Sequence, residues 1–256
     1  MAKDYVPVMI YDHKDKETLK KYAVRAFPTF VVTDAEGTEL MRQVGAPFGT
    51  AEEAREWFPK VATALTSVDG LEAKHKEDAE DLDIAIELAD TYTTLGKGEK
   101  AVELYKAIAP KVPKDDERYT DVQLAYADAL MGTISRDNQA EVGKQVGAIY
   151  DEVLPPLIKE GDDRAIDPGI LNARIKMIVG QDKEGARELA VSMLKPFAEH
   201  ERILEIRYHA AGFADDETAK TELAAIVEEG DAENDWVKRA KQQIDRLNKS
   251  EADPKE

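Results

Sequence analysis

Residues 82–113 read LDIAIELADTYTTLGKGEKAVELYKAIAPKVP, and the spacing inside this stretch decides the fold. Leu88, Ala89 and Tyr92 recur at the intervals of one helix face, Ala101 and Tyr105 at those of a second, and Gly96 stands at the turn between them. Ala89 and Ala101 are small, Tyr92 and Tyr105 are large and aromatic, and Pro113 ends the stretch.

This pattern resembles the tetratricopeptide repeat, which runs over about 34 residues as Leu, a small residue, Tyr, Ala, an aromatic and a closing Pro. Ala85 stands where that family carries a tryptophan. Later segments read as degenerate copies. Leu124-Ala125 with Asp128 is followed by an insertion over 135–141, then Val146, Tyr150 and Pro155-Pro156 as the stop. Ile170–Val179 pairs with Ala186–Leu194 across a glycine-bounded turn, and Ile203–Phe213 pairs with Thr218–Glu229, capped by Asp216. Trp236–Leu247 is predicted as a terminal capping helix, and 249–256 as a disordered tail.

Upstream the punctuation changes. Val6–Tyr11 is rich in β-formers and reads as a buried strand, and Asp15 can cap a helix over Lys16–Val24. Pro28 ends that helix. A strand over Phe30–Thr33, a turn over Asp34–Gly37 and a strand over Glu39–Val44 follow. Thr50 with Glu53 forms a capping box for a helix whose apolar face is Ala54, Trp57, Phe58, Val61 and Leu65, with a kink or restart expected at Pro59. The run from Tyr22 through Phe27-Pro28-Thr29 to Gly45 resembles the second half of a thioredoxin domain, in which a cis-proline leads into a strand. That resemblance implies a missing strand and helix bearing Cys-x-x-Cys, and therefore an incomplete sheet.

The expected fold is thus α+β and mostly helical: a truncated thioredoxin-like α/β domain over 1–66, then a tetratricopeptide-like array of α-helical hairpins over 67–248.

Composition limits the chemistry. The 256 residues contain no cysteine, which removes disulfides, thiolate metal sites and thiol catalysis. The net charge of −18 is uneven: residues 1–66 carry 9 Lys/Arg against 10 Asp/Glu, so almost all of the excess lies beyond them. An acidic surface argues against nucleic acid and anionic lipid, and no apolar run approaches a membrane span. No secretory signal opens the sequence, so a cytoplasmic location is the default expectation, with export if the N-terminus is truncated.

Two sets of residues are candidates for binding. By the thioredoxin resemblance, Phe27, Pro28 and Thr29 would offer a backbone edge to an extended peptide; the alternative is that Pro28 shapes the turn and Phe27 packs. By the repeat resemblance, Asp83, Ile86, Asp90 and Thr93 would line the groove of the best hairpin; the alternative is that they simply face solvent. Repeat proteins that grip a terminal carboxylate use Lys and Asn there, where this chain has Ile86 and Asp90, so a Lys/Arg-bearing peptide is the expected ligand. His13, His75, His200 and His209 show no metal-ligand spacing, and Asp162, Asp163 and Asp167 read as a turn and helix cap. No catalytic residue, cofactor or metal is expected. The expected function is a non-catalytic adaptor that binds a protein or peptide, with association of copies through the incomplete sheet. The alternative is a truncated thiol-disulfide oxidoreductase whose Cys-x-x-Cys lies upstream.

Overall fold

A computed structural model describes residues 6–252, with side chains as far as Asn248. The architecture is mostly helical, with eleven α-helices and one two-stranded antiparallel sheet among the described residues. Two compact units divide at Thr133/Ile134. The boundary expected at 66–67 falls inside a continuous helix.

Among the described residues, the first unit has no strand ahead of its first helix. Val6–Ile10 forms no regular element, which corrects the expectation of a buried strand there. β-forming residues make a strand only when a ladder partner takes their backbone groups, and none does so among the described residues. Helix α1 (Lys16–Lys21) stops three residues earlier than expected. Ala23 adopts φ +47°, and Val24 N–H donates to Leu19 O (2.9 Å) while Ala23 N–H donates to Lys20 O (3.1 Å), which closes the helix in a Schellman turn. Asp15 does not cap α1 with its side chain; its Oδ2 accepts from Tyr11 N–H instead (2.9 Å).

Strands β1 (Thr29–Thr33) and β2 (Glu39–Val44) form the hairpin, entered through a cis Phe27–Pro28 bond. Asp34 Oδ1 takes the Thr38 N–H (2.7 Å), and Gly37 supplies the positive φ of +81° that the turn needs. Val32 lies opposite Met41 but Thr33 lies opposite Glu39, so Leu40 is the extra residue of a bulge. The Val32–Met41 pair faces the core of the unit, and Phe30, two residues along the same face, packs against Phe48, Trp57 and Phe58 with ring centroids 5.4–6.3 Å apart.

Helix α2 (Ala51–Glu77) runs through Pro59 without a restart. Its box is shifted by one residue at the reciprocal arm: Thr50 Oγ1 accepts from Glu53 N–H (3.2 Å), and Glu53 Oε2 accepts from Gly49 N–H (2.6 Å). Then come α3 (Leu82–Thr94), α4 (Gly98–Ile108) and α5 (Tyr119–Gly132). Each packs on its predecessor, and α3 also touches α5. Asp81 caps α3 by accepting from Asp83 and Ile84 N–H (3.0 and 3.1 Å). Gly96, at φ +67°, turns the chain so that α4 returns along α3.

The second unit is a run of helices: α6 (Gln139–Glu160), α7 (Ile166–Ile178), α8 (Lys183–Leu194), α9 (Ile203–Phe213), α10 (Asp216–Glu229) and α11 (Asp235–Ala252). Again each helix packs on the one before it, while α7 touches α9 and α9 touches α11. Nearest-neighbour packing with one row of alternate helices in mutual contact is the organisation of stacked helical hairpins.

Three expectations are corrected in this unit. Pro155-Pro156 does not end α6, because Val153, Leu154, Leu157 and Ile158 are buried on both sides of the prolines and hold the helix together across them. The cap of α10 is Asp215, whose Oδ1 accepts from Thr218 N–H (2.9 Å), one residue before the predicted Asp216. Helix α11 continues to Ala252, so the expected tail is helical as far as that residue, and 253–256 lie outside the described residues.

Candidate functional site

The four groove candidates share one stripe of α3, because positions 83, 86, 90 and 93 advance by three or four residues. Burial of Ala85, Leu88, Ala89 and Tyr92 fixes the rotation of the helix about its axis, and thereby the direction of that stripe. Asp83 and Asp90 are exposed at its surface, while Ile86 and Thr93 are half-buried.

Each polar member has an internal partner. Asp83 accepts from Arg118 Nη1, delivered by the residue just before α5. Asp90 accepts from the hydroxyl of Tyr105, a side chain on α4 that is itself 0% exposed. Thr93 Oγ1 donates to Ala89 O (3.1 Å), and Ile86 packs against the core of the unit. Tyr105 stacks on Tyr126 of α5 with ring centroids 6.1 Å apart, so α3, α4 and α5 meet around it.

The electrostatics of this face are set by crowded carboxylates. Desolvation lifts the Asp90 carboxyl above its ordinary range, Asp121 and Glu87 add to the effect, and the Tyr105 hydroxyl opposes it. Burial pushes the Tyr105 hydroxyl upward, with Asp90 and Asp128 acting in the same sense. Arg118 is the cation within the set. It binds Asp116 with two hydrogen bonds (Nε–Oδ1 3.0 Å, Nη2–Oδ2 2.8 Å) and brings that carboxyl down to about 2. The face therefore concentrates negative charge around one guanidinium that the protein supplies itself.

Phe27, Pro28 and Thr29 lie apart in role from this stripe, at the entry to β1. Phe27 is 60% exposed, Pro28 O accepts from Gly45 N–H (2.8 Å), and Thr29 Oγ1 donates to Ala26 O (2.7 Å). The proline and threonine thus close the hairpin, and the phenylalanine ring is left outside it.

The sequence reading did not find Arg118, Tyr126 or a second polar set on α2–α4. In that set Tyr92 hydroxyl donates to Glu72 Oε1 (2.5 Å) and Lys100 Nζ donates to the same oxygen (3.1 Å). Beside it lies an open recess of ≈ 350 Å³ lined by His75, Leu88, Tyr92, Lys100, Glu103, Leu104 and Ala107. These partners are separated by 8 to 35 residues, so no local spacing announces them.

The loop carboxylates are engaged as turn and pair formers. Asp162 accepts from Arg164 N–H (2.9 Å), Asp163 lies 3.2 Å from His200 Nε2, and Asp167 accepts from Arg202 (2.6 Å). Among the described residues no group of three His, Asp or Glu side chains is arranged to hold a metal ion, and no helix is long and apolar enough to cross a membrane. No protein-family model matches this chain, and no curated protein matches it.

Proposed function

We propose that the chain is a non-catalytic adaptor that recruits a protein or peptide partner through the α3–α5 face, and that the preferred ligand segment carries Lys or Arg. In this reading the hairpin region is a redox-inert, partial thioredoxin-like module joined to tetratricopeptide-like helical hairpins. Without cysteine it has no dithiol to exchange.

The observation that carries the proposal is the pairing of Arg118 with Asp83 on a stripe that also holds Glu87 and Asp90. A guanidinium already sits against this carboxylate, so the face suits planar cationic donors. A ligand arginine would meet the same carboxylates, and Ile86 offers an apolar contact between them. Surplus negative charge would steer a basic segment to the face, while the apolar contact would set its residence.

Selection of displayed peptides against the full chain tests this. Enrichment in Lys/Arg is expected, with affinity weakened roughly tenfold by Asp83→Lys with Glu87→Lys and weakened further by salt. Peptides without basic enrichment, or binding indifferent to both substitutions, would sink the proposal.

A further inference from the structure

Among the described residues, seven of the ten exposed large apolar side chains fall between Val6 and Val44, so the hairpin end is where the chain leaves apolar surface uncovered. Val6, Val8 and Met9 are 90%, 73% and 74% exposed, in a segment of β-formers with no partner. In the same unit, β1 uses one edge to pair with β2, and among the described residues no backbone hydrogen bond reaches its other edge. The outer side of β2 differs. The Arg42 carbonyl is so close to Gly96 that a Cβ there would lie 2.6 Å away, which places the α3–α4 turn against that strand. The open edge therefore belongs to β1.

We infer that Val6–Ile10 of one copy adds as a strand to the free edge of β1 in a second copy, and that the exchange is reciprocal. Backbone geometry favours one register. In a strand the N–H and C=O groups of alternate residues point to the same side. With Val6, Val8 and Ile10 turned to β1, Pro7 and Met9 face outward, where the missing N–H of Pro7 leaves no ladder position unfilled. Pro7 then also blocks a further strand, so assembly closes at two copies.

Charge selects a second copy as the occupant. Residues 6–50 carry six Lys/Arg and six Asp/Glu, whereas the whole chain stands at −18. Two copies that met elsewhere would bring like charges together, and here that repulsion is absent. Within one copy the segment is unpaired: among the described residues no backbone hydrogen bond joins residues 6–10 to β1. Tyr11 N–H is held by Asp15 Oδ2 (2.9 Å), and Tyr11 O accepts from Asp15 N–H (2.9 Å), which ties the segment's end into a local loop.

Sedimentation equilibrium of the full chain, combined with hydrogen exchange, decides the matter. The expected result is a dimer of the 28.4 kDa chain, with slowed exchange of the β1 amides that appears only as concentration rises. Val8→Pro, at an exposed position, removes the central donor and should weaken dimerisation roughly tenfold or more without changing the monomer's circular dichroism. A monomer up to about 100 μM, a dimer indifferent to Val8→Pro, or β1 protection already complete in dilute monomer would each overturn the inference. None of these outcomes bears on the α3–α5 face, which involves other residues.

Discussion

Tyr105 shows how one hydroxyl joins stability to the proposed binding face. Its ring is fully buried between helices and its hydroxyl is the internal donor to Asp90, whose carboxylate is crowded by Asp121 and Glu87. Tyr105→Phe should lower stability by about 0.5–1.5 kcal/mol, because the hydrogen bond from the buried ring to the Asp90 carboxylate is lost. Adding Asp90→Asn should return part of that loss by removing the charge. Urea midpoints would show it, and an unchanged midpoint for Tyr105→Phe would contradict the assignment. His209 gives the pH-dependent counterpart. Burial lowers its pKa, as do Arg174, Arg239 and Arg202, while Glu205 acts the other way. The unfolded chain therefore takes up the proton more readily, and stability should fall as pH drops through about 6.5, the ordinary histidine value. His209→Gln should flatten that part of the profile of melting temperature against pH, and an unaltered slope would exclude His209 as its source.

At the scale of elements, two glycines inside helices should behave in opposite ways. Gly70 is exposed in α2, and a Cβ there meets nothing within 4 Å, so Gly70→Ala should stabilise by about 0.5–1 kcal/mol through helix propensity. Gly143 in α6 would place a Cβ 2.9 Å from a methyl of Val179, a short branched side chain with little freedom to yield. Gly143→Ala should therefore destabilise despite the same propensity gain, and melting temperatures moving in the same direction would refute the contrast. The same elements show what a sequence can and cannot announce. Helix positions in residues 82–108 and 203–229 were legible from apolar periodicity, with Gly96 marking the first turn, although the cap predicted at Asp216 stands one residue late. That Val6–Tyr11 would form no strand was not legible, since β-propensity says nothing about whether a partner edge exists. Pro155-Pro156 misled for the opposite reason: burial on both sides outweighed the local break. Of the candidate site, the α3 residues were named through the repeat resemblance. Their partners Arg118 and Tyr126 were not, because α5 meets α3 only through the fold.

For the whole molecule, charge and packing belong to the same account. Fifty-three acidic residues against thirty-five basic ones keep helical faces solvated, while the near-neutral hairpin end holds most of the exposed apolar surface. The two units have separate sequences of helix packing, and the acidic stripe with its internal arginine lies within the first. Hydrogen exchange of the full chain, with and without a selected basic peptide, tests the binding account most directly. Slower exchange confined to α3 and α5, and lost on Asp83→Lys with Glu87→Lys, is the predicted result. Protection centred on Phe27–Thr29, or no protection in α3, would contradict it.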